Sequence, residues 1–174
     1  MKRKIITFLI IVVCFILEST VFRYLALASI TPNLMIIITS SFGFMRGKKS
    51  GMLVGFISGL LIDIMFGDII GFYALIYMLI GYGNGFFQQL FYEDDIKLPL
   101  VLICASEFVY GIVIYVFLFL FSTRSRFDFL YYLWNIIVPE LIYTIIVTIG
   151  LYQIILHINR KLEVEEKRSA SKFV

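Results

Sequence analysis

A chain of 174 residues that is 61% hydrophobic and only 16% charged carries more apolar side chain than one soluble core of that size can hide, since ordinary domains run at about 45–50% apolar and about 25% charged. The composition excludes a soluble domain and predicts a single all-α, polytopic membrane bundle. The net charge of +3 is small, and nothing in its placement points to nucleic acid.

Lys2, Arg3 and Lys4 precede an apolar run from Ile5 to Phe22. This start resembles a signal peptide, and Ala26-Leu27-Ala28 offers a small-residue cleavage pattern. A run of about 18 residues is nevertheless closer to a spanning helix than to a signal core of about 7–15. It is expected to stay as span 1, with Glu18 near its far end. Span 2 is short: Thr31 as N-cap and Pro32 at the first helical position predict a helix start, followed by apolar Leu34 to Met45. Residues Leu25 to Ile30 are expected at the interface. The basic loop Arg46-Gly47-Lys48-Lys49 leads to span 3, Ser50 to Phe66. Asp68 is expected to cap span 4, Ile69 to Tyr92, which carries Gly81, Gly83 and Gly85. The polar turn Glu93 to Lys97 follows. Span 5 runs from Leu98 to Phe121 with Glu107 near mid-depth. Ser122 to Asn135, rich in aromatics, reads as a short interfacial helix. Span 6 is Ile136 to Ile158. The domain division is a six-span bundle over 1–160 and a charged cytoplasmic tail over 161–174, the chain fraying from Asn159.

Six crossings with the N-terminus inside put 12 of the 15 Lys and Arg on the inner side and leave Arg23, Arg124 and Arg126 outside. If span 2 does not cross, the partition inverts. The positive-inside bias therefore predicts that the short span crosses and that both termini are cytoplasmic.

Gly47, Gly51, Gly55, Gly59, Asp63, Gly67 and Gly71 recur every fourth residue. On a helix such steps form one slowly winding stripe, and small residues there let another backbone come close. Gly55 and Gly59 are expected in tight helix contact, with Ser58, off the stripe's centre, more tolerant of bulk. Asp63 on the stripe should face protein or water and not lipid. Glu18, Glu107 and Glu140 are further acids within or at the edges of spans, where such residues mark assembly or binding sites. No catalytic constellation, cofactor fingerprint or metal-ligand pattern is visible: His157 stands alone, and Cys14 and Cys104 sit in separate apolar runs.

Several of these pieces together resemble the MreD family of bacterial rod shape-determining membrane proteins. They are Pro32-Asn33-Leu34 opening span 2, Arg46-Gly47, the run Gly51, Gly55-Phe56, Gly59-Leu60 and Asp63, then Gly67 through Gly71 and the Gly-Tyr-Gly-Asn-Gly of 81–85. Leu17-Glu18 departs from the family's frequent Gln at that place. The resemblance implies a non-catalytic scaffold subunit of the cell-elongation machinery in the cytoplasmic membrane. Implied partners are an MreC-like single-span protein, a RodA-type glycosyltransferase, a class B penicillin-binding protein and, indirectly, MreB. The family's bundle also looks like the substrate-binding subunit of energy-coupling-factor vitamin transporters. That makes a transporter subunit the alternative function, which the bulky span 1 disfavours. Spans 1 and 2 are expected to leave a lipid-exposed groove at Phe8, Phe15, Pro32 and Asn33 for the partner's single helix.

Overall fold

A computed structural model describes residues 2–26, 30–67, 69–91, 96–121 and 128–171. Among these residues the fold is all helical, without a β-sheet. Helix α1 is Lys2–Leu17 and continues through a π-helical turn, Glu18–Phe22. Helices α2, Leu34–Arg46, and α3, Lys48–Phe66, follow, then α4, Phe72–Asn84, which tightens into a 3-10 turn at Gly85–Leu90. Helix α5 is Lys97–Phe121. Helix α6, Phe129–Tyr132, passes through a π-helical turn, Leu133–Ile137, directly into α7, Val138–Ser171. Because α6 and α7 form one rod, the bundle has six helical bodies. Four of them are long and apolar enough to cross a membrane: Lys2–Phe22, Lys48–Phe66, Lys97–Phe121 and Phe129–Glu166.

Three boundaries differ from expectation. No break separates an interfacial helix from span 6: Phe129–Tyr132, Leu133–Ile137 and Val138–Ser171 run on as one rod. Pro139, which has no N–H to donate, follows directly on the π-helical turn. The charged segment after Asn159 continues as helix through Ser171 and does not fray. Its start is held by Arg3 of α1, which donates to Asn159 Oδ1 at 2.9 Å and pairs with Glu166. The basic loop before span 3 shrinks to one residue, Gly47, whose φ of 85° only glycine adopts readily and which lets α3 start at once. The cap expected at Asp68, the acidic turn at 93–95 and Arg124 and Arg126 lie outside the described residues.

Helix α2 is the centre of the bundle. Every residue from Leu34 to Met45 is buried. The sequence dictates this: Leu34 to Ile38, Phe42, Phe44 and Met45 make the helix apolar all round, and such a helix has no polar face to show. Its 13 residues rise only about 20 Å, short of a hydrocarbon core of about 30 Å. Because α2 presents no outer face, an opening beside span 2 is confined to the residues before Leu34.

Helices α2, α3 and α4 meet backbone to backbone. A methyl group at Gly51 would strike the Gly81 carbonyl, at Gly55 the Tyr77 carbonyl, and at Gly59 the Tyr73 carbonyl. Gly43 of α2 meets the same Gly81. The stripe stops being a seam beyond Asp63. Gly67 ends α3, and Gly71, exposed with φ 100° and no neighbour for a side chain to meet, shapes the turn into α4. Ser58 is fully buried on the face that carries Gly55 and Gly59.

A polar cavity at the buried start of α2

Helix α2 begins inside the bundle, where its first N–H groups cannot be left to water and must find protein acceptors. Asn33 is the N-cap, and its Oδ1 accepts from Ile36 N at 3.1 Å. This corrects the expected start at Thr31 and Pro32: Pro32 precedes the cap, and the amide side chain does what the Thr31 hydroxyl does not. Glu18, reaching across from α1, accepts from Met35 N at 3.1 Å. The Asn33 N–H donates to Thr144 Oγ1 of α7 at 3.0 Å, and Tyr77 of α4 donates its hydroxyl to Asn33 Oδ1 at 2.9 Å. Helices α1, α2, α4 and α7 are thus tied together at one turn.

Beside this knot lies a cavity of about 640 Å³. Its polar wall carries Glu18, Glu140, Arg23 and Asn33, and its aromatic wall carries Tyr73, Tyr77 and Tyr110. Phe15 of α1 and Phe66 of α3, with ring centroids 6.0 Å apart, form an apolar lip. Both glutamates adjoin the two π-helical turns, Glu18–Phe22 and Leu133–Ile137. In the first of these turns Ser19 donates to Phe15 O and Thr20 to Ile16 O; in the second Asn135 donates to Tyr131 O. Side-chain donors competing for carbonyls four residues back accompany the widening of the helix there.

Glu107 of α5 stands behind this wall. It is 2% exposed, its carboxyl meets that of Glu140, and its charged neighbours are Glu140 and Glu18.

Asp63 has a different task. Its carboxylate accepts from Gly71 N at 3.0 Å, Tyr73 N at 2.9 Å and Ala74 N at 2.9 Å. The last residue of the α3 seam therefore caps the start of α4, where a negative charge meets the positive end of the helix dipole.

A family model described as the rod shape-determining protein MreD matches residues 2–162, from the first residue of α1 to well beyond the knot on α7. The chain belongs to the MreD family. It is thus a rod shape-determining, multi-pass membrane protein. No curated protein and no solved structure matches it.

In this MreD bundle the residues singled out in the sequence separate into four places. Gly51, Gly55, Gly59 and Asp63 form the α3–α4 seam and its cap. Pro32, Asn33 and Phe15 belong to the cavity, with Glu107 behind its wall. Gly67 and Gly71 shape a turn. Phe8 is 51% exposed on α1, two turns before Phe15 on nearly the same face, and does not line the cavity. The sequence reading missed Tyr73, Tyr77, Tyr110 and Thr144. The spacing of the first two, four apart on one helix, was the available signal. It also missed a second polar cluster, in which Asn84 donates to Ser106 Oγ at 2.7 Å and Ser40 Oγ at 3.3 Å, joining α4 to α5 and α2.

Proposed function

We propose that this chain is the non-catalytic scaffold subunit of the cell-elongation complex that shapes rods and builds peptidoglycan. In this reading it holds an MreC-like single-span partner and, in the same complex, a RodA-type glycosyltransferase and a class B penicillin-binding protein, with MreB coupled indirectly. The observation that carries it is the family match over residues 2–162. The tying of Asp63, Asn33 and Glu18 to helix N-termini is consistent with it, because these groups hold the bundle in shape. The fold-level likeness to vitamin-transporter subunits belongs to the same proposal, and no comparison favours the transporter alternative.

The partner contact we propose is the outer face of α1, where Ile5, Phe8, Leu9, Val13 and Ile16 are exposed. Helix α1 is the least buried of the four long apolar helices, so it has the most surface to spare. Association there rests on close packing in lipid and not on water release. Copurification from the cell's own membranes tests the reading. Wild type should bring down a single-span partner, and Phe8→Ala or Phe15→Ala should weaken capture without unfolding the bundle. Capture of no such partner, or unchanged capture by both variants, contradicts it.

The proposed location is the cytoplasmic membrane with both termini inside. In the six-crossing reading Lys2, Arg3, Lys4, Arg46, Lys48, Lys49, Lys97 and the basic residues after Asn159 in the sequence share the inner side, and Arg23, on the cavity wall, belongs to the other. Impermeant labelling of intact cells should modify a cysteine at Thr123 and spare one at Lys48; the reverse pattern inverts the orientation.

A further inference from the structure

The cavity has an excess of acidic groups. Glu18 and Glu140 line it with Glu107 behind Glu140, and the cation on its wall, Arg23, is exposed and forms no ion pair with any of them among the described residues. Glu18 is partly compensated by the Met35 N–H. Glu107 meets no cation: it is all but fully buried, and its side-chain partner is a second carboxyl, that of Glu140 on the wall. Buried carboxyls are held where something pairs with them. No group of three ligating side chains among the described residues could hold a metal ion. The neighbouring wall is aromatic, with Tyr110 5.5 Å from Tyr77 and 6.5 Å from Tyr73 between ring centroids, and such ring faces attract organic cations.

We propose that this cavity binds a primary ammonium group. Its N–H donors meet Glu140 and Glu18 on the wall, with Glu107 behind Glu140, and its charge lies against the Tyr110 face. An ammonium has donors and no acceptor, which complements a wall richer in acceptors. At about 640 Å³ the space suits a small ligand or a lipid headgroup. The Phe15–Phe66 lip would let an acyl chain leave toward the bilayer, and Arg23 is placed to meet a phosphodiester. The ammonium can therefore come from an aminolipid headgroup or from a small soluble amine.

The test is the thermal unfolding midpoint of the full chain in lipid-free detergent, titrated with dihexanoyl phosphatidylethanolamine, phosphatidylcholine or phosphatidylglycerol, or with ethanolamine. The phosphatidylethanolamine should raise the midpoint saturably. The phosphatidylglycerol should not, and the phosphatidylcholine, whose nitrogen bears no N–H, should bind about tenfold weaker or less well still. Ethanolamine matching the lipid assigns a soluble amine; ethanolamine without effect assigns the lipid. Glu140→Gln and Glu18→Gln should each weaken binding about 10- to 100-fold. The proposal is overturned if neither amine shifts the midpoint, if the phosphatidylglycerol or phosphatidylcholine matches the amine lipid on wild type, or if both folded variants bind as wild type does. The wild-type headgroup series decides the matter even where a variant does not fold.

Discussion

The two sides of α2 are built on opposite principles. Toward α3 and α4, glycines remove side chains so that backbones touch, and the space is filled. Toward α1, α5 and α7, at the start of α2, the side chains are large and polar and the space is left open as a cavity. In lipid, helices gain nothing from hiding apolar surface from water, so contact must come from fit or from polar ties. The first side uses fit and the second uses ties. A seam made by fit has one arrangement, whereas a region held by a few hydrogen bonds around a void has room for something else to enter.

The largest expected effect breaks the first side. Gly55→Leu or Gly59→Leu sets a side chain against the backbone of α4, and should cost more than the ~1–3 kcal/mol of ordinary overpacking. Phe56→Leu, at a side chain 46% exposed, should leave the unfolding midpoint near wild type. Equal stability of the glycine and Phe56 variants would mean that α3 and α4 are not in backbone contact.

Next is the cap that closes the seam. Asp63→Ala removes the acceptor of three N–H groups and should cost about 2–4 kcal/mol. Asp63→Asn, which keeps one acceptor oxygen, should recover part of it. If Asn and Ala are equally destabilising, the charge and not the capping geometry is what matters.

On the cavity side the ties are fewer, so the losses should be smaller. Asn33→Ala removes the acceptor for Ile36 N and Tyr77 OH and should cost about 1–2 kcal/mol. Read by denaturant unfolding, a loss as large as that at Gly55 would show that the knot and not the seam dominates stability.

The smallest effect lies outside both regions. Arg3 pairs with Glu166, whose side chain is 52% exposed. Removing that carboxylate in Glu166→Gln should cost under ~1 kcal/mol, and less in high salt.

How far the sequence announced these two sides differs, for a physical reason. The seam is local and periodic: Gly51, Gly55 and Gly59 advertise it by spacing alone, and Asp63 at the next step belongs to it. What spacing could not show was where the repeat ceased to be helical, so Gly67 and Gly71 were read as packing when they shape a turn. Ser58 shares the buried face because three residues from Gly55 is nearly the same face as four. The cavity is non-local. Glu18, Asn33, Tyr77, Glu107 and the α7 pair Glu140 and Thr144 come from five places in the chain, and no period links those places. Their acids were conspicuous one by one in apolar runs, while the tyrosines passed for ordinary aromatics. The burial of α2 was legible in its all-round apolar sequence, and its shortness reflects a helix that begins within the protein.

The most direct test is to ask whether water reaches one side of the bundle and not the other. In a background of Cys14→Ala and Cys104→Ala, single cysteines replace Ser19 on the cavity wall or Ser58 in the seam. Open membrane fragments are then treated from both faces with a charged thiol reagent. The cysteine at position 19 should react and the one at position 58 should be protected until the protein is unfolded. Equal reaction at both positions, or reaction at 58 alone, would contradict a closed glycine seam facing an open polar cavity.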